Sequence, residues 1–164
     1  MTMLKIAGGI MIAVSCVYLG LRRSMNLKKR CRSLERIQNA LSLLETEIAF
    51  KGTELKSALL NTGEPLFKEA ACRMDGGTVK TAWNGAVKKC AMRLCLTEGD
   101  VDALAMLGSR LGMTDTENQV KNIDAVKNML DIHINAARND AERFCRLYTG
   151  GGVLTGIFIV LMLI

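Results

Sequence analysis

Residues 3–21, MLKIAGGIMIAVSCVYLGL, carry one charge, Lys5, and run directly into RRSMNLKKRCR, residues 22–32, with six bases and no acid. As a helix, an apolar run of that length rises about 30 Å, the thickness of a bilayer's hydrocarbon core. The sequence therefore predicts a membrane-spanning helix over 3–21, and its flanks decide the orientation. A cleaved signal peptide is the rival reading, and Ala13-Val14-Ser15-Cys16 faintly resembles a lipoprotein processing box. Signal peptides, however, carry their positive charge ahead of the apolar core. Here Lys5 alone precedes it, while Arg22, Arg23, Lys28, Lys29, Arg30 and Arg32 follow. That asymmetry predicts an uncleaved anchor with its downstream side in the cytoplasm.

The same segment accounts for the net charge of +6. Of 22 bases in the chain, these six and Lys5 leave 15 against 16 acids beyond residue 32. A nucleic-acid-binding face needs bases spread over a folded surface and aromatic platforms for stacking, so the expectation is no nucleic acid partner. A basic collar beside a bilayer instead points to anionic membrane lipid.

Between the apolar ends lie roughly 120 residues, enough for one core. A single proline and few alternating β-branched residues favour an all-α fold. From Leu27 onward apolar residues recur at Cys31, Leu34, Ile37, Leu41, Leu44 and Ile48, the spacing of a helix with one buried stripe that continues out of the membrane. Gly52 supplies a stop and Thr53 a fresh N-cap for a short helix over 53–60. Pro65 fits the first position of a third helix, ended by Asp75-Gly76-Gly77. Thr78 caps a helix reaching about Cys95, with Ala82, Trp83, Ala86, Val87, Cys90 and Leu94 on one side. Thr97 caps the next, with Val101, Leu104, Leu107 and Leu111 in register. Thr114 and Glu117 have the spacing of a capping box opening a long last helix, whose stripe runs through Ile123, Val126, Leu130 and Ile134.

Residues 147–164, LYTGGGVLTGIFIVLMLI, are uncharged, a second spanning candidate, preceded by Arg138, Arg143 and Arg146. Gly150, Gly151 and Gly152 suggest a hinge or a place of close helix approach, and Gly152-x-x-x-Gly156 and Gly9-x-x-x-Ala13 are small-x-x-x-small spacings. The expected organisation is thus a transmembrane helix over 3–21, a cytoplasmic helical bundle of about six helices over 22–146, and a second transmembrane helix over 147–164.

Enzymatic constellations are not apparent. No stretch has the P-loop spacing G-x-x-x-x-G-K-[ST]. His133 lies between Ile132 and Ile134 without a nucleophile nearby in sequence, which favours a structural histidine at the edge of the stripe. Glu45 and Glu47 are two apart and point to different faces of a helix, as solvated or salt-bridged residues do. The six cysteines, at 16, 31, 72, 90, 95 and 145, form no C-x-x-C pair and have no partnering histidines, so free, mostly buried thiols are expected. No cofactor and no metal are implied.

The order of parts, with Leu44-Glu45-Thr46-Glu47-Ile48, Leu66-Phe67, Ala82-Trp83, Leu111-Gly112-Met113-Thr114-Asp115 and Asn118-Gln119, resembles the stage III sporulation protein AB family of endospore-forming bacteria over nearly the whole chain. The family's usual serine before the aspartate is Thr114 here, an exchange that keeps the helix cap. The resemblance implies a non-enzymatic component of the channel-like apparatus between mother cell and forespore, required for late forespore gene expression. Its cytoplasmic part would be similar to the F-domain bundle of type II secretion and type IV pilus platform proteins. The chain would sit in the mother-cell membrane facing the forespore, crossing twice, and dock a motor ATPase encoded in the same operon to the other channel proteins.

Exposed polar positions within these strings, Glu45, Glu47, Asp115 and Gln119, are the candidate partner interface. For Asp115 and Gln119, ordinary capping and helix-surface roles are the favoured reading, since such residues are common in a helix's first turns. A homo-oligomeric ring would fit the platform role. The alternative is a membrane-tethered adaptor bundle binding a soluble signalling partner, and a thiol-dependent enzyme ranks third.

Overall fold

The structure, a computed structural model, describes residues 2–112 and 116–163. Six α-helices are described: α1 (Thr2–Lys51), α2 (Leu55–Asn61), α3 (Pro65–Arg73), α4 (Val79–Leu94), α5 (Glu98–Arg110) and α6 (Thr116–Leu163), with one 3-10 turn at Met74–Gly76. The described residues contain no strand. The all-α expectation therefore holds, and α1 is unbroken where the sequence predicted a continuous helix. The chain divides into two units, one made of Arg32–Asn135 and the other of Met1–Cys31 together with Ala136–Ile164.

In the Arg32–Asn135 unit the predicted stripe of α1 is core: Leu34, Ile37, Leu41 and Leu44 are wholly buried and Ile48 nearly so. Facing stripes contribute Leu66 and Phe67 from α3, Trp83, Ala86 and Val87 from α4, Leu104 and Leu107 from α5, and Ile123 and Leu130 from α6. Helix α3 packs on α4 and α4 on α5. At the centre, the Phe67 and Trp83 rings meet edge to face, centroids 5.2 Å apart, an arrangement that aligns a positive ring edge with a negative face. The Trp83 indole N–H donates to the Leu104 carbonyl at 2.7 Å, so the buried polar atom is satisfied. Helix α5 comes this close because position 108 is glycine: a Cβ there would lie 2.4 Å from Trp83 Cδ1.

The ends of the helices follow local chemistry. Pro65 stands at the first position of α3, and the Thr78 hydroxyl accepts from the Thr81 N–H at the start of α4. Gly52 and Gly112 take positive φ, as helix-ending glycines do. Two ends depart from expectation. Glu54, not Thr53, is the N-cap of α2, because the Thr53 hydroxyl donates to the Glu47 carboxylate and its amide to the Glu47 carbonyl. Helix α4 ends on Cys95 in the left-handed region, φ 59°, where glycine is usual, with its N–H returned to the last turn. The predicted capping box at Thr114 lies outside the described residues. Helix α6 continues through Gly150, Gly151 and Gly152 without interruption, and nothing lies within 4 Å of a Cβ placed at Gly150 or Gly151. Of the four cysteines whose side chains are described, only Cys90 is buried; Cys72 is exposed and Cys31 and Cys95 are half-buried. The expectation of mostly buried thiols is corrected accordingly: Cys72 closes the last turn of α3 on its outer side.

Candidate docking bundle and basic collar

Glu45 and Glu47 are both engaged inside the bundle. Glu45 accepts from Lys127 Nζ of α6 at 2.8 Å, both side chains being about three-quarters covered. Two turns earlier, Gln38 donates to Asp131 of α6 at 2.6 Å. These contacts fix the register of α1 against α6 beside the apolar stripe. Glu47 reaches the other way, accepting from Lys51 one turn on and from Asn61 of α2 at 3.0 Å. Those bonds, the one to Lys51 first, hold its carboxyl below the ordinary 4.5. The two glutamates thus point to different faces, as their spacing requires, and each joins α1 to another helix. Gln119, on the first turns of α6, is half-buried and partnered, and Asp115 lies outside the described residues.

A link without any local signature joins α5 to α6. Asp100 is fully buried at the third position of α5; one carboxylate oxygen accepts the Thr97 N–H at 2.9 Å and completes a capping box. The other oxygen lies 2.7 Å from His133 Nδ1 on α6. Thr97 was legible as a cap, but the partner 33 residues away was not. His133 is thereby a positioning residue at the edge of the stripe. The other nitrogen of its ring belongs to no cluster: the described residues hold no group of three or more histidine, cysteine or acidic side chains able to bind a metal.

The basic collar has a different character. Arg22, Arg23, Lys28, Lys29 and Arg32 are exposed on α1 and make no ion pair with any described residue. Arg30 instead turns toward Asp140 of α6, 3.7 Å away, with its side chain 12% exposed. Arg138 is exposed and partnered, and the Arg143 guanidinium sits 5.9 Å from the Phe144 ring centroid, within cation–π range. The side chain of Arg146 lies outside the described residues. N-terminal to the collar, Met11, Val14, Tyr18, Leu19 and Leu21 are exposed, as are Leu154 and Phe158 in the last turns of α6. Val14, Val17, Tyr18 and Leu21 line a shallow apolar groove on α1. Among the described residues no helix is long and apolar enough to cross a membrane. Both predicted spans, 3–21 and 147–164, fall largely on side chains outside the description.

Comparison with known proteins gives matches to one family. The stage III sporulation protein AB of Bacillus subtilis (strain 168) is 28% identical over 174 residues, covering 98% of this chain and 99% of that protein. A solved structure of a stage III sporulation protein AB superposes with a TM-score of 0.63 at 27% identity, over 69% of this chain and 96% of that one. The family model for stage III sporulation protein AB matches residues 5–164. The six helices, the buried stripe from Leu34 to Ile48 and this match over both units place the chain in the stage III sporulation protein AB family.

Proposed function

We propose that this chain is a non-enzymatic platform component of the sporulation apparatus between mother cell and forespore, held in the mother-cell membrane by helices at residues 3–21 and 147–164. Its bundle, with 22–146 as the cytoplasmic domain, docks a motor ATPase and the other channel membrane proteins, in the manner of secretion-system F domains. The observation carrying this reading is the sequence of environments along α1: exposed apolar side chains at Met11, Val14 and Tyr18, unpaired cations from Arg22 to Lys29, then a wholly buried stripe from Leu34. An apolar surface followed by cations and a water-soluble core is the order required of a helix that leaves a bilayer on its cytoplasmic side. The family's sporulation role supports the setting.

Reporter fusions at residues 100 and 164 test the topology: residue 100 reports cytoplasmic and residue 164 the opposite side, and an extracytoplasmic signal at 100 defeats the reading. Affinity purification of the tagged chain from sporulating cells tests the partners. Recovery of a motor ATPase with channel membrane proteins is expected, whereas recovery of a soluble signalling protein alone would replace the platform with an adaptor.

A further inference from the structure

We propose that α1 carries a seat for one anionic phospholipid, with an acyl chain in the groove of Val14, Val17, Tyr18 and Leu21 and the headgroup phosphate held by Arg22 and Lys29. The inference rests on the membrane reading above and names a ligand for it. Tyr18, Arg22, Met25 and Lys29 stand at i, i+4, i+7 and i+11, so they share one helix face. Tyr18 and Met25 are 62% and 63% exposed on it. The groove lies on the same side, immediately before Arg22 in the chain. Arg22 and Lys29 are two turns apart, about 10 Å along the axis, within the reach of two long side chains converging on one phosphate.

Charge selects the occupant. Residues 1–32 contain no acid, and Arg22 and Lys29 are exposed without an ion pair among the described residues. A second copy seated in parallel on this face would set like cations against one another, which is unfavourable in a low-dielectric surround. A phosphodiester with a single negative charge and a hydrocarbon tail complements both halves of the face: bidentate or charge-assisted contacts above, dry apolar surface below. Tyr18, at the junction, has the amphipathic ring that favours the headgroup level of a bilayer.

The test uses the full chain in detergent, with dioleoylphosphatidylglycerol and dioleoylphosphatidylcholine as probes and lipid retention read by native mass spectrometry. One phosphatidylglycerol per chain is expected to persist, with phosphatidylcholine at least tenfold weaker. Arg22→Gln/Lys29→Gln lowers phosphatidylglycerol affinity about tenfold or more, whereas Lys68→Gln/Lys80→Gln, an equal loss of exposed charge in the bundle, leaves it unchanged. Val14→Ser/Leu21→Ser, which keeps both cations, also weakens retention. Equal retention of the two lipids, an equal loss in the Lys68/Lys80 variant, or unchanged binding in either α1 variant overturns the proposal. Should the double variant lose helicity by circular dichroism, Lys29→Gln alone, at an exposed position, gives the same reading. If the Arg22/Lys29 variant retains lipid but loses its co-purifying proteins, the face docks an acidic protein and the lipid seat is wrong. Because retention is read on purified protein, its failure leaves the platform reading standing, and failure of the reporter fusions is seen separately.

Discussion

The two halves of α1 put the same kinds of side chain in opposite places. Met11, Val14, Tyr18, Leu19 and Met25 are between 62% and 75% exposed, while Leu34, Ile37, Leu41 and Leu44 are not exposed at all. The second half buries the stripe from Leu34 to Ile48 and spaces Gln38, Glu45 and Glu47 around it, with Leu43 and Phe50 left exposed off the stripe. In the first half the described large apolar side chains stand exposed instead. The change between the two patterns falls at the cations of residues 22–32.

The sharpest way to break that comparison is to put the same charge in each half. Leu41→Asp buries a carboxylate among Leu34, Leu44 and their partners, which costs several kcal/mol. The expected outcome is loss of the cooperative thermal transition of the full chain in detergent, followed by near-ultraviolet circular dichroism of the sole tryptophan, Trp83. Leu19→Asp, in the exposed half, leaves that transition in place and instead lowers the membrane-bound fraction. Equal melting for wild type and Leu41→Asp would show that the stripe is not the core.

A smaller effect is expected at Gly108, where the bundle's packing is tightest. Alanine there sets its Cβ 2.4 Å from Trp83 Cδ1, so α5 must shift from α4 or Trp83 must change rotamer. Overpacking of this kind costs about 1–3 kcal/mol. The transition should fall by several degrees and the Trp83 signal should change. An unchanged melt with an unchanged tryptophan spectrum would mean that the interface yields freely.

What the sequence made legible follows the range of the forces involved. The stripe of Leu34, Ile37, Leu41, Leu44 and Ile48, the Pro65 start and the Thr78 cap all depend on residues within a turn or two of one another, and all stand as expected. Thr53 does not cap α2 because its hydroxyl is turned to the Glu47 carboxylate, six residues back on a different element. The left-handed Cys95 was hidden because the position carries none of the usual signals for positive φ. The Glu45–Lys127 and Asp100–His133 contacts span 82 and 33 residues, and neither side chain in either pair has a local pattern that names its partner. Of the candidate interface, Glu45 and Glu47 proved to be ties between helices. The collar was fully legible as charge, but that Arg30 turns toward Asp140 was not.

His133 gives the next smaller test. His133→Ala removes a donor from a fully buried carboxylate, a loss of about 1–3 kcal/mol. His133→Asn, which keeps a donor near the Nδ1 position, should recover part of it. Comparable destabilisation by both substitutions would assign the role of His133 to packing rather than to its bond with Asp100.

The smallest effects belong to the half-exposed ion pairs of the C-terminal half of α1, and their pH dependence has a definite sign. The hydrogen bond to Glu45 raises Lys127 above its ordinary 10.5, against the opposing influence of burial. Its contribution is therefore complete below 10.5 and is lost as pH rises through the folded-state value. Glu47 is lowered from 4.5, so what it contributes is present above 4.5 and is lost as pH falls through its folded-state value. Melting temperature against pH should show a plateau bounded by these two declines. Lys127→Met should flatten the alkaline decline, at a cost of about 1 kcal/mol or less on the plateau, and leave the acid one in place; Glu47→Gln should do the reverse. If each substitution instead changed both arms alike, the links from α1 to α6 and to α2 would be acting as one network, with α2 coupled to α6 through α1.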